Sequence, residues 1–321
     1  MSARASDISI DIWYGRRQRF GHIGNPQRFA NILGRVCPVG HLSQLSYSLN
    51  GGPPARLSVG PDGKRLQSPG DFNIELDRDE LAPGDNQVVV TATDRAGREC
   101  REDITVSHMP GRVWPLPYHI DWRACSSISD AAQVVDGLWV LDSAGVRPAE
   151  IGYDRAVAIG DISWQHYEVR VECTIHRFGR LEEWGPGVGV LLHWKGHYDW
   201  GDGQPLSGWW PTGAIGWYLH LARWNQFRLN FFGNRCEVLA EDPGGKRLAT
   251  DICYILRLRA DPGPCSPTVY RMKVWPKGEQ EPGVWDISGV GSEDELAAGS
   301  LLLLSHHVDV TFGDLRVEPV G

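Results

Sequence analysis

Six tryptophans, three histidines, two aspartates and a run of glycines crowd one stretch of this chain. From Glu183 to Leu221 it reads EWGPGVGVLLHWKGHYDWGDGQPLSGWWPTGAIGWYLHL. Flat aromatic faces suit the C–H faces of pyranose rings, and His193, His197, Asp199 and Asp202 beside them suit hydroxyls. A buried Trp needs a partner for its N–H, so packing Trp184, Trp194, Trp200, Trp209, Trp210 and Trp217 into one core would be unusual. The glycines let a backbone pass close to a ring or a ligand. The competing reading is a packed β-sandwich core with a long ordered loop. Two strand-like runs, Gly187–Trp194 and Ala214–Leu221, flank the loop. His193 and Trp194 point to opposite faces of the first, as do Trp217 and Tyr218 of the second, so one of each pair is core. The expected ligand surface gathers His193, Trp194, His197, Tyr198, Asp199, Trp209, Trp210, Trp217 and His307, with the loop residues Tyr198, Asp199, Trp209 and Trp210 the most exposed.

A second constellation is His306-His307-Val308-Asp309-Val310-Thr311. On one continuous strand His307, Asp309 and Thr311 share a face, and a His-x-Asp pair can orient an imidazole for acid–base work or hold a cation. His197-Tyr198-Asp199 repeats the pattern. If the chain is an enzyme, His307, Asp309, His197 and Glu183 are the candidate catalytic groups. The alternative is structural histidines bonded within polar clusters. A retaining glycosidase needs two carboxyls about 5–5.5 Å apart. Glu182 and Glu183 are adjacent and point opposite ways on a strand, whereas Glu168 and Glu172 share a face with Arg170 between them, which suits an ion-paired surface better than a catalytic pair. Tyr153-Asp154-Arg155 is a dense polar patch in which Arg155 either braces a turn or grips hydroxyls bidentately. No phosphate loop, nucleophile elbow or HExxH occurs.

The elements that position these groups are strands. Residues 7–107 read as about seven short strands separated by turn chemistry, Asn50-Gly51-Gly52, Gly60-Pro61-Asp62-Gly63, Ala82-Pro83-Gly84-Asp85 and Asp94-Arg95-Ala96-Gly97 among them. A Pro-rich bridge follows at 108–117, and strands dominate again over 118–321. Glu168–His176 alternates most cleanly, with Val169, Val171, Cys173 and Ile175 on one face. The chain has 321 residues, a net charge of −8 and 41% hydrophobic residues, enough for two domains with packed cores. The acidic balance and scattered arginines argue against nucleic acid or an anionic membrane as partner. No apolar run is long enough to span a bilayer, and the N-terminus carries no signal-like core, so the protein is either intracellular or stripped of a secretion signal. Seven cysteines form no CxxC pair; Cys37 and Cys100 fall in one domain and could pair, although neither lies clearly mid-strand.

Two resemblances refine this reading. DELAPGDNQVVVTATDRAGRECREDITV (Asp79–Val106) resembles the last strands of bacterial immunoglobulin-like modules, which implies a sandwich serving as a spacer. YRMKVWPKGEQEPGVWDISG (Tyr270–Gly289) with GSLLLLSHHVDVTFGDLRV (Gly299–Val317) resembles the last strands of bacterial concanavalin A-like or laminin-G-like domains. The expected fold class is therefore all-β, an N-terminal immunoglobulin-like sandwich over 1–107 and a C-terminal concanavalin A-like jelly roll over 118–321. That family includes lectins, non-catalytic carbohydrate modules, glycoside hydrolases and polysaccharide lyases. The resemblance implies recognition of a polysaccharide or glycan by the second domain, with a hydrolase, a lyase and a structural or surface-assembly protein as alternatives. It requires no cofactor. A structural calcium near the paired first and last strands is a family expectation, for which Asp121 and Asp314 are the candidate ligands.

Overall fold

The computed structural model describes residues 8–179, 185–198, 204–221, 224–263 and 267–320. Among these the only helices are 3-10 turns of three residues, and strands carry the rest of the regular structure, so the all-β architecture expected from the sequence is the one observed. No helix of the described residues is long and apolar enough to cross a membrane. The chain divides into two compact units. The first holds residues up to 22, 28–112 and 204–208; the second holds 23–27, 113–198 and 209 onward.

The first unit is built from β1 (Ser9–Ile12), β2 (Arg17–Phe20), β3 (Phe29–Cys37), β4 (Leu42–Leu49), β5 (Ala55–Arg56), β6 (Asp71–Asp77), β7 (Gly84–Asp94) and β8 (Glu99–His108). A three-stranded sheet has the order β1-β3-β6 and a five-stranded sheet the order β2-β8-β7-β4-β5. β2 lies parallel to β8, and the other pairs are antiparallel. The alternation read in Val88–Thr93 places Val88, Val90 and Ala92 in the core beside Ile32, Ile74, Ile104 and Val106, the burial that half-buried strands require. Cys37 ends β3 and Cys100 is the second residue of β8, in different sheets, and both are free thiols, so the pairing considered from the sequence does not form.

The second unit comprises β9 (Tyr118–Ile120), β10 (Gln133–Asp136), β11 (Trp139–Asp142), β12 (Gly145–Pro148), β13 (Arg155–Ile159), β14 (Tyr167–Phe178), β15 (Gly187–Trp194), β16 (Ala214–Leu221), β17 (Gln226–Phe232), β18 (Val238–Glu241), β19 (Cys253–Asp261), β20 (Val269–Pro276), β21 (Ile287–Val290), β22 (Ser300–His306) and β23 (Val308–Pro319). They form two antiparallel sheets. The seven-stranded one has the order β10-β13-β22-β15-β16-β17-β18, and the eight-stranded one β11-β12-β23-β14-β19-β20-β21, with β9 on β23. The inward face of β14 buries Val169, Val171, Cys173 and Ile175, as its alternation predicts. Asp161 anchors the start of this unit: its carboxylate accepts the backbone N–H of Asn25, Trp114 and Ser163.

β15 departs from simple alternation. All eight of its residues are buried, so both faces of the seven-stranded sheet are covered there. Beyond the main core, the outer face carries a second cluster of Val135, Ala156, Ala158, Leu191, Trp194, Leu302 and Leu304, against which Trp209, Ile215 and Trp217 pack. A sheet face that water would otherwise wet is thus closed by part of the aromatic loop.

Candidate functional site

The outer face of the seven-stranded sheet is also where polar chemistry collects. Gly187 and Gly189 of β15 stand opposite Leu219 and Trp217 of β16, and opposite His306 and Leu304 of β22. A Cβ on Gly189 would meet Cε3 of Trp217 at 2.6 Å. The glycine is therefore what lets the indole lie down on the sheet. Trp217 is half-buried, and its ring centroid lies 6.2 Å from that of His306. The His306 Nδ1 and the Asp154 Oδ1 are 2.7 Å apart, with both residues buried. This carboxylate fixes the imidazole's orientation and tautomer, leaving Nε2 as its remaining polar atom. Tyr153 packs edge-on against His306 at 4.9 Å and against His307 at 6.1 Å. Burial, with the Asp154 charge next, pushes the Tyr153 hydroxyl above its ordinary range. Burial, then the neighbouring His306, holds His307 down to about 4, so it is neutral at pH 7.

The same face continues across β17 and β18. Asn230 stands opposite Trp217 on one side and Glu241 on the other. Its Nδ2 donates to Glu241 Oε2 at 3.3 Å, while its Oδ1 is buried with no hydrogen-bond partner. Arg228 donates to Glu241 and, at 2.9 Å, to Gln226 Oε1. The sequence marks Asp154 and His306 within two separate polar runs but assigns neither a site role, and it does not single out Asn230, Arg228 or Glu241. The signal for part of this set was present: in QFRLNFF the polar residues Gln226, Arg228 and Asn230 recur with period two, which marks one strand face. Nothing in the sequence pairs Asp154 with His306, 152 residues away.

The predicted site residues divide among several places. Trp217 sits on this face. Trp194 is fully buried, with His197 edge-on at 5.4 Å and Trp209 beyond His197 at 4.5 Å. Its ring closes the second cluster and has no face to offer a ligand. His197 is itself buried 3.8 Å from the buried Asp136 carboxylate. Trp209, Trp210 and Tyr198 are half-buried. His193 lies on the other side of the sheet, between it and the eight-stranded sheet. Its backbone N–H donates to the Tyr167 hydroxyl, and its Nδ1 lies 3.4 Å from the Tyr270 hydroxyl. The expected alternation is inverted by a bulge: His193 has a φ of +56°, and the register slips between Leu192 and Trp194 so that two residues oppose one on β22. Thus His193 turns inward and Trp194 outward, both buried, and the single surface expected from the sequence is split.

His307 and Asp309 do not share a strand face. His307, with a φ of +53°, is the corner at which the chain leaves β22 for β23 in the other sheet. Asp309 is held there by two hydrogen bonds from Arg147 at 2.6 and 2.7 Å, a structural ion pair. Arg155 is buried and donates through Nε and Nη2 to the Tyr153 carbonyl, so it braces the turn and is not positioned to grip hydroxyls. Glu168 and Glu172 pair with Arg257 and Lys277, the ion-paired surface expected. Glu183 and Asp199 lie outside the described residues.

Asp121 and Asp314 are brought together by the pairing of β9 with β23, as expected of terminal strands. Arg123 stands between them, donating to Asp121 at 2.8 Å and lying 3.6 Å from Asp314. Among the described residues no group of three His, Cys, Asp or Glu side chains is arranged to hold a metal ion. A guanidinium between two carboxylates is a satisfied ion pair and leaves no oxygen cradle for calcium, which needs six to eight oxygens. Chelation with EDTA is therefore expected to leave the melting temperature of the second unit unchanged. A drop in EDTA that added calcium reverses would restore Asp121 and Asp314 as ligands.

No family model and no curated protein sequence matches the chain. Among solved structures it is similar to the VIP36 exoplasmic/lumenal domain in its Ca2+/Man2-bound form, with 11% identity over 62% of this chain and 86% of that one, at a TM-score of 0.42. It is similar to the legume lectin-like domain from Entamoeba histolytica, with 11% identity over 60% and 92% at 0.40, and to the Emp46p carbohydrate recognition domain, with 8% identity over 63% and 96% at 0.42. At these scores the likenesses bear on neither ligand nor metal.

Proposed function

We propose that the second unit recognises a glycan on the outer face of its seven-stranded sheet, without catalysis. The observation that carries this reading is the half-buried Trp217 ring lying on a glycine floor, 6.2 Å from an imidazole that a buried carboxylate holds in place. An aromatic face with fixed polar groups at its edge meets the two needs of a pyranose, an apolar platform and hydroxyl partners. The first unit serves as a spacer. Its sheet orders β1-β3-β6 and β2-β8-β7-β4-β5, with β2 parallel to β8, support an immunoglobulin-like assignment. In a glycan-array screen followed by titration well below the variant's melting temperature, Trp217→Ala is expected to weaken binding about tenfold or more, while losing some thermal stability because its ring also packs on the second cluster. Equal affinity of the variant and the parent would remove this site.

A lyase is the second reading, favoured by one observation: Tyr153, His306 and His307 are mutual ring neighbours. Tyr and His are suited to move a proton to and from sugar carbon and oxygen. Release of unsaturated, ultraviolet-absorbing product from a polyuronide, lost in His306→Ala, would establish it over simple recognition.

A further inference from the structure

The polar groups on the outer face do not end at Trp217. Register places Trp217, Asn230 and Glu241 in one row across β16, β17 and β18. Arg228 and Gln226 continue down β17 on the same face, because residues two apart on a strand share a side. From Asn230 to Gln226 this strip runs about 13 Å at the usual rise per residue, longer than a single pyranose. At its far end it opens into a pocket lined by Asn225, Gln226, Arg228, Glu241, Gly245 and Arg247. We propose that the ligand is an extended, uncharged glycan chain lying along β17, with one sugar on Trp217 and a later one in this pocket, and not a lone terminal sugar. The proposal rests on the glycan reading above.

Three observations support it. Asn230 is 4% exposed, and its Oδ1, on the row shared with Trp217, has no partner; an acceptor buried without one is costly unless something donates to it. The Arg228 guanidinium is held between Glu241 and Gln226, so its planar donors are oriented before a ligand arrives. The pocket wall is likewise set. Asp242 accepts the N–H groups of Gly244 and Lys246 at 2.8 and 2.7 Å, and Arg247 lies over the Phe227 ring at 5.3 Å. The two arginines are matched by Glu241 and Asp242, so the strip carries no surplus charge for a carboxylate or sulfate and suits hydroxyls.

The test is titration calorimetry of the full chain with linear gluco-, manno- and xylo-oligosaccharides of one to six units. Affinity for the preferred series is expected to rise at least about tenfold from the monosaccharide to the tetrasaccharide. Gln226→Ala and Arg247→Ala, both surface changes, should erase that gain, while Trp217→Ala weakens every length. An affinity independent of length, or a gain that survives both distal variants, overturns the extended-chain inference and leaves the Trp217 site standing. Failure of every oligosaccharide to bind overturns the glycan reading itself.

Discussion

Glu75→Ala is expected to destabilise the first unit by about 3–5 kcal/mol, the usual cost of leaving one member of a buried ion pair alone. Glu75 and Arg65 have side chains 0% and 3% exposed and meet at 2.6 Å. The second Glu75 oxygen accepts the Leu206 N–H at 2.7 Å, and Arg65 donates to the Leu206 carbonyl. The Gln204 side-chain amide meanwhile exchanges hydrogen bonds with the Glu75 backbone, at 3.2 and 3.3 Å. It covers the edge of β6 as a neighbouring strand would, which also removes an edge that could pair with other chains. Deleting the carboxylate strands the guanidinium in a dry site and removes the acceptor of a backbone N–H at once. The double variant Arg65→Met, Glu75→Leu should recover only part of the loss, since a hydrophobic pair escapes the desolvation cost but leaves the Leu206 N–H and carbonyl without their side-chain partners. The readouts are the denaturant midpoint and hydrogen exchange in β6. A single variant within about 1 kcal/mol of the parent would show that the pair is not buried in solution.

Local pattern gave the strands and withheld the site. Gly187–Trp194 and Ala214–Leu221 are β15 and β16 as expected, and Glu168–His176 lies within β14, because alternation and turn residues are properties of neighbouring positions. What failed needed information from elsewhere in the chain. A left-handed histidine at 193 leaves no local mark, since non-glycine residues adopt that conformation only where the surroundings demand it. Alternation was therefore read straight through a bulge that inverts it. The same error carried His307 onto one strand with Asp309, although a second left-handed histidine turns the corner between sheets there. The aromatic loop was read as ligand surface because its composition suits both a sugar platform and a core. Only the burial of Trp194 beneath Trp209 and His197 separates the two. The Asp154–His306 pair was missed because contact between residues so distant in sequence is a consequence of topology.

The inward-turned His193 makes the second unit acid-sensitive. Burial, with a smaller contribution from His166, holds its imidazole down to about 4 from the ordinary 6.5. The folded state thus keeps a neutral ring at pH values where the unfolded chain has already bound a proton. By linkage the stabilisation is complete above pH 6.5, is lost as pH falls from 6.5 toward 4, and changes no further below that. At about 1.4 kcal/mol per unit the full loss is roughly 3 kcal/mol. Glu295, which accepts from the Tyr270 hydroxyl at 3.1 Å, works in the opposite sense: burial raises its pKa, so its contribution is greatest in acid and fades as pH rises through that raised value. His307, also held down near 4, adds to the acid loss from another site. A substitution at 193 alone isolates the first effect. Asparagine tolerates a left-handed backbone, so His193→Asn should be less stable than the parent at pH 7.5, and that deficit should shrink by up to about 3 kcal/mol between pH 6.5 and 4. A deficit constant across the window would mean that His193 is protonated to the same extent in the folded and unfolded chains, and that the buried, tyrosine-flanked ring does not exist in solution.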